Sequence, residues 1–204
     1  MSTATLTPPA AAIAAPDPAA RRRFTAEEYQ RMGAAGILAD QERTELIDGE
    51  IYTMARIGSV HSAVVSRSKR LLDRGVGERA IVRVQDPIHL NDGTELEPDV
   101  ALVHPRADDY EESHPVPSEV FLLVEVMDSS ARHDRLVKLP RCAREGVAEV
   151  WLADISGGFV EVHRRPVGDT YAEKGIFPRG QPLSPAAFPD LVLDAAIFLG
   201  RPET

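Results

Sequence analysis

Three ionisable residues stand in an order that suits chemistry on a phosphate. Asp99 opens the apolar run Val100-Ala101-Leu102-Val103, directly after Glu97-Pro98. Glu125 lies inside a second run, Phe121-Leu122-Leu123-Val124-Glu125-Val126, and Lys138 follows one short helix later. Hydrolysis of a phosphodiester needs charge neutralised on the phosphate, a water activated and a leaving oxygen stabilised, and a divalent ion held by carboxylates serves all three. Mg²⁺ commonly takes one or two carboxylates and completes its shell with waters and substrate oxygens. A carboxylate within an apolar run costs several kcal/mol if unpaired, so Glu125 requires a partner, and a cation shared with Asp99 would supply one. A lysine alongside could polarise or deprotonate the attacking water, or hold the phosphate as a point charge. The residue types also allow plainer roles. Asp99 could end a loop, Glu125 could pair with an arginine, and Lys138 stands four residues after Asp134, the spacing of an ordinary helical ion pair.

The elements that would position these groups follow from local pattern. The Val and Leu content of the two runs predicts adjacent strands that bring Asp99 and Glu125 together. Upstream, Thr25-Ala26-Glu27-Glu28 fits a capping box, with Phe24 and Tyr29 at staple spacing, and predicts a helix to about Met32. Asp48-Gly49 between Thr44–Ile47 and Glu50–Met54 predicts a β-hairpin. Ser59 is placed to cap a helix to about Arg74, closed by Gly75, with Val60, Val64, Leu71 and Leu72 toward the core. A strand from Ala80 to Gln85 and a second at Ile88–Leu90 lead through an Asn91-Asp92-Gly93 turn back to Asp99.

Downstream, Ala131 to Glu145 reads as a helix stopped by Gly146, kinked or broken at Pro140. A wheel of 100° per residue puts Leu136, Leu139 and Ala143 on one face, turns Asp134, Arg141 and Arg144 away, and leaves Lys138 on the boundary. Counting Arg132, Arg135, Lys138, Arg141 and Arg144 against Asp134 gives a local charge of +4 over Arg132–Arg144, the best candidate for a phosphate-facing patch. Val150-Trp151-Leu152 reads as a buried strand that turns at Ser156-Gly157-Gly158 into a second hairpin. Apolar runs at Leu191–Leu193 and Ala195–Leu199 close the fold.

The chain of 204 residues with 43% hydrophobic content is sized for one core, and the expected division is a flexible Ala- and Pro-rich tail over 1–22 followed by one domain over 23–204. No run approaches the ~20 apolar residues of a membrane span, and the lone cysteine, Cys142, rules out an internal disulfide, so a cytoplasmic protein is expected. A net charge of −9 argues against a broadly basic, nucleic-acid-coating surface; any phosphate contact must be local.

Taken together, Pro98-Asp99, Val124-Glu125-Val126 and the helical Lys138 resemble the PD-(D/E)XK nuclease superfamily. With Thr44–Glu50, Val84–Ile88, Val126–Ser130 and Asp134–Trp151, the chain is similar to the Uma-two family, described as restriction endonucleases, over roughly residues 24 to 200. The resemblance implies a single-domain α/β fold, with a mixed central sheet flanked by helices and added hairpins. It implies Mg²⁺ or Mn²⁺ held by Asp99, Glu125 and the backbone carbonyl of Val126, with Lys138 assisting the water or the phosphate. Met127 stands where the wider superfamily has a lysine, and Lys138 would supply the amine instead. Glu45 could assist the metal, His61 could touch phosphate, Gln85 could orient a water, and Arg132 and Arg135 could approach the backbone.

The expected activity is metal-dependent endonucleolytic hydrolysis with DNA as substrate. A homodimer, in which two sites address two strands, is compatible with the sequence. One rival is a nuclease-like fold that binds nucleic acid or a protein without cleaving, which Met127 and the overall acidity favour. The other is a glycosidase-type carboxylate pair, disfavoured because only 5% of residues are aromatic and a sugar groove needs more.

Overall fold

A computed structural model describes residues 21–38, 43–128 and 130–201. Most of the proposed N-terminal tail, residues 1–20, lies outside the described residues. Helix α1 (Ala26–Ala34) starts at the expected capping box: Thr25 Oγ1 accepts from the Glu28 N–H at 3.2 Å, and Glu28 Oε2 accepts from the Thr25 N–H at 3.2 Å. The Tyr29 hydroxyl donates to the Thr44 carbonyl at 2.8 Å and anchors α1 to strand β1 (Thr44–Ile47). Strand β2 (Glu50–Thr53) pairs antiparallel with β1, and Asp48 (φ 50°) and Gly49 (φ 77°) supply the two positive φ angles of a primed hairpin turn.

Helix α2 (Ser59–Val76) follows, then β3 (Ile81–Arg83), β4 (Ile88–Asn91) and β5 (Thr94–Leu96). One sheet has the order β2-β1-β5-β4. The second is built from β3, β6 (Val100–Val103), β7 (Val120–Met127), β8 (Glu149–Asp154), β9 (Phe159–Val167) and β10 (Thr170–Pro178), in the order β10-β9-β8-β7-β6-β3. All its pairs are antiparallel except β7 with β8, so it is mixed. A parallel pair needs a crossover, and the helical span between Ala131 and Arg144 provides it.

Strand alternation sorts the core into two layers. Val100, Leu102, Leu122, Val124, Val126 and Trp151 face α2, whereas Ala101, Val103, Leu123, Met127 and Leu152 face the crossover, with Cys142 and Ala143. Glu125 falls between Leu123 and Met127, and Asp99 two residues before Ala101, so both carboxylates belong to the crossover side. At the far end a short 3₁₀ turn (Ala195–Phe198) sets Phe198 edge-on to Trp151, ring centroids 5.2 Å apart, and the C-terminal apolar run closes the core as expected.

Three expectations are corrected. Helix α2 is capped by Gly58 rather than Ser59 and runs through Gly75 to Gly77 (φ 57°); a Cβ on Gly75 would come within 2.3 Å of Leu191, so that glycine serves close packing, not termination. Val60, expected in the core, is 51% exposed. The helical wheel fails in the crossover, where Leu136 is 62% exposed while Asp134 and Lys138 are buried at 2% and 4%. Its middle, Asp134–Lys138, is π-helical: the Leu139 N–H reaches back five residues to the Asp134 carbonyl, and the wider turn shifts the phase of every residue in it. Pro140, with no N–H to return, sits just beyond in the first turn of α4 (Leu139–Arg144), while α3 (Ala131–His133) precedes. Strand β10, not anticipated from sequence, pairs along β9 from Thr170 to Pro178.

Candidate active site

Asp99 sits at the mouth of β6, and the β6–β7 register sets Val100 opposite Val124. Its Oδ2 accepts from the Val126 N–H at 2.9 Å and lies 2.9 Å from His61 Nε2. Its Oδ1 accepts from Gln85 Nε2 at 3.3 Å, and its own N–H donates to Glu125 Oε2 at 3.3 Å. Gln85 holds φ at 54°, a left-handed conformation uncommon outside glycine, and in this geometry its amide meets Asp99. The orientation of Asp99 is therefore fixed from α2, from the segment ahead of β4 and from β7.

Behind this pair, Lys138 Nζ lies 3.0 Å from Glu125 Oε1, 2.8 Å from Glu45 Oε1 and 3.9 Å from Asp134 Oδ1. Glu45 Oε1 also accepts from the Glu97 N–H at 3.0 Å, and Asp134 Oδ2 accepts from Ser130 Oγ at 2.6 Å. Two sheets and the π-turn thus converge on one ammonium. Burial pushes the Glu125 carboxyl well above the ordinary glutamate range, against the pull of Lys138 and with the help of Asp134 and Asp99. Asp134 is raised for the same first reason. Burial alone would lower Lys138, but Glu125, Glu45 and Asp134 outweigh it and hold the amine above its usual value. Its three carboxylate neighbours thus favour the charged, donating form of Lys138.

A cleft with about 60 Å³ of room for water opens onto Asp99, Glu125, Asp134 and Lys138. One wall carries Arg43, Arg56 and Gly58, and Met54 is tied to that wall by its N–H donating to the Arg43 carbonyl at 2.8 Å. Asp128 and Ser130 line it too. Helix α2 turns its N-terminus, which lacks a side-chain cap, toward this space at Gly58 and His61.

The expected residues divide as follows. Asp99, Glu125, Lys138 and Glu45 come together, and His61 and Gln85 join them as partners of Asp99. Val126 contributes its N–H to Asp99. Met127 is 1% exposed, packed in the apolar layer, while the Lys138 amine arrives beside Glu125 from the crossover. Arg135 is turned elsewhere: it binds Asp154 and Glu161 at 2.7 and 2.6 Å. Arg141 pairs with Asp48, and Arg132 is exposed and does not line the cleft. The predicted basic patch is thus dispersed, because the π-turn buries its acidic and lysine positions and ion pairs hold two of its arginines. Sequence reasoning passed over Arg43 and Arg56, which stand outside any motif. It saw Asp134 only as an ion-pair partner, and the Asp134/Lys138 spacing was the signal for its place here.

The donor set tests well against a hard divalent cation. Glu45, Asp99, Glu125 and Asp134 carry three more negative than positive charges against Lys138 if all are ionised, and Glu45 Oε2 is buried without a partner among the described residues. Among those residues no three His, Cys, Asp or Glu side chains enclose a ready-made metal cage. Two carboxylates on an open cleft are instead the pattern that leaves Mg²⁺ most of its waters.

A mixed sheet with a crossover helical span and acidic residues at the mouths of its central strands defines a nuclease-like α/β fold. The crystal structure of a protein titled a "putative nuclease belonging to DUF820", from Anabaena variabilis, shares it with a TM-score of 0.66 at 18% identity, over 86% of this chain and 97% of that one. The sequence profile of the Uma2 family, described as "Putative restriction endonuclease", matches residues 26–196, and the chain belongs to that family. No curated protein matches the chain. Among the described residues, no helix is long and apolar enough to cross a membrane.

Proposed function

We propose that the protein is a divalent-metal-dependent endonuclease acting on DNA. The observation that carries this reading is the meeting of Asp99 and Glu125, from adjacent strands, in a cleft whose wall also presents the Lys138 ammonium. Asp99, Glu125 and the Val126 carbonyl would hold Mg²⁺ or Mn²⁺. When bound, the ion would supply charge neutralisation at the phosphate and a more acidic water.

The chain's own groups do the rest. His61 and Gln85 hold the two oxygens of Asp99 in place, so the carboxylate faces the cleft without reorganising. Glu45 and Glu125 both hold Lys138, which favours the protonated amine and leaves its remaining N–H to donate to a phosphate oxygen or to the attacking water. Asp134, fixed by Ser130, adds to the negative field that keeps this lysine charged.

Nicking of supercoiled plasmid by purified protein in Mg²⁺ or Mn²⁺, beside EDTA and an Asp99→Ala variant, tests the reading. Cleavage that needs both the metal and Asp99 is expected. Equal inertness of wild type and variant would end it in favour of a non-cleaving nuclease-like fold.

A further inference from the structure

The arginines of the cleft are few, and their pairing differs from that of the other arginines near it. Arg56 is exposed and makes no ion pair or hydrogen bond among the described residues. Arg43 is half-buried and meets Glu97 only at 3.9 Å, beyond hydrogen-bond reach. Arg135 and Arg141, by contrast, are each committed to carboxylates. Among the described residues, Arg43 and Arg56 are the two arginines that line the cleft, and the Met54 N–H to Arg43 carbonyl bond ties the backbone ahead of Arg56 to that of Arg43. Around them, Asp128 lines the same cleft, and the whole chain carries −9, so no broad attraction for further phosphates is on offer.

We infer that, beside the phosphate under attack, this site grips its substrate through two flanking backbone phosphates, one on Arg56 and one on Arg43, and so reads a short local stretch of strand rather than a length of nucleic acid. The inference rests on the nuclease reading and names how that site holds its substrate. The physical reason is additive. Each phosphate neutralised by an arginine releases counterions and gains affinity, whereas each further phosphate laid along an acidic surface gains nothing and is repelled. A guanidinium presents a planar fork to a phosphate, so a lysine in the same place would keep the charge and lose the paired hydrogen bonds. Lengthening the substrate beyond a few nucleotides should then leave the affinity of each binding register unchanged.

The test is fluorescence anisotropy with the full chain and 5′-labelled single-stranded oligodeoxynucleotides of 4, 8 and 20 nucleotides, with Ca²⁺ in place of Mg²⁺ to hold the oxygen ligands. The expected result is an affinity that, once divided by the number of overlapping registers each oligonucleotide offers, changes by less than about twofold with length. Log affinity should fall against log salt with a slope of about −2.1, the single-strand value for three phosphates: one on each arginine and one at the cation and Lys138. R56A and R43A should each remove about 0.7 from that slope, R56K should retain the slope but bind more weakly, and R132A should match wild type. Affinity per register that climbs with length, a slope steeper than about −3, or indifference to R56A would overturn the two-phosphate grip. So would an absence of binding by a chain whose circular dichroism shows it folded. Metal- and Asp99-dependent nicking of plasmid alongside any of those results would show that the nuclease reading stands and only this grip has failed.

Discussion

Two clusters of buried carboxylates sit in this molecule, and they are built on opposite plans. Glu149, at the start of β8, is fully buried, and its oxygens accept from Trp151 Nε1 at 2.6 Å, Arg164 Nε at 2.7 Å and the Ala186 N–H at 2.6 Å. Its charge is balanced by Arg164 and its lone pairs are met by fixed donors. At the cleft, Glu45, Glu125 and Asp134 crowd one lysine, Asp99 stands beside them, and Glu45 Oε2 has no partner among the described residues. Burial is common to both, so burial does not mark the functional cluster. Imbalance does: the first is complete without a ligand, and the second holds more negative charge than the protein alone neutralises.

Substitutions that keep size and remove charge should separate the two most widely. Glu125→Gln or Asp99→Asn should lower metal-dependent cleavage by at least about 10²-fold, the upper range seen even for groups one shell beyond a metal, while the melting temperature holds or rises because a like charge has gone. Glu149→Gln should do the reverse. It takes the countercharge from the half-buried Arg164 and sets an amide N–H against a donor that the carboxylate satisfied, which should cost about 1–3 kcal/mol of stability, with the turnover of the remaining folded protein unchanged. Plasmid nicking and thermal melts on the same preparations read both, and equal destabilisation by the two substitutions would dissolve the contrast.

Lys138→Met presses on the same difference from the other side. Without the ammonium, Glu45, Glu125 and Asp134 face one another uncompensated, and the metal-free variant should lose about 3–5 kcal/mol. Saturating Mg²⁺ should return part of that, by about 2.7 kcal/mol at a hundredfold excess over its dissociation constant. Melts of the variant with and without Mg²⁺ check it, and a Glu149→Gln protein should show only the shift that wild type shows.

The contrast also explains what could be read from sequence. Asp99 and Glu125 were legible because a carboxylate in a Val- and Leu-rich strand violates the apolar pattern around it. The Asp48-Gly49 hairpin and the Thr25 capping box were legible because turn and cap chemistry is local. The inward turn of Asp134 was not, because it depends on one extra residue per turn in a π-helical stretch, which a 3.6-residue wheel cannot represent. Arg43 and Arg56 obey no pattern at all: Arg43 stands just ahead of β1 and Arg56 on the β2–α2 connection, and the Met54 N–H to Arg43 carbonyl bond that draws the two stretches together is a long-range pairing. Strand β10 escaped because Lys174, Gly175 and its exposed alternate residues give an edge strand little apolar signal.

The smallest of these effects is a pH slope. Glu125 has a folded-state pKa raised above its ordinary 4.5, so between those two values the folded protein binds more protons than the unfolded chain. Stability from that group is fully present below about 4.5 and is lost as pH rises through the folded value, at no more than about 1.4 kcal/mol per pH unit. Asp134 and Glu97, both raised by burial, add the same sign. His163 opposes them: burial lowers it from 6.5, so its contribution is lost as pH falls below 6.5, and the opposing slopes overlap there. The difference between wild type and Glu125→Gln removes the histidine term, and that difference should grow steadily as pH rises above 4.5 in metal-free buffer. Saturating Mg²⁺ should flatten or invert it, since the ion stabilises the carboxylate form. Glu149→Gln should show no such metal sensitivity, and parallel pH curves for wild type and Glu125→Gln would mean that the cleft is as balanced as the cluster at Glu149.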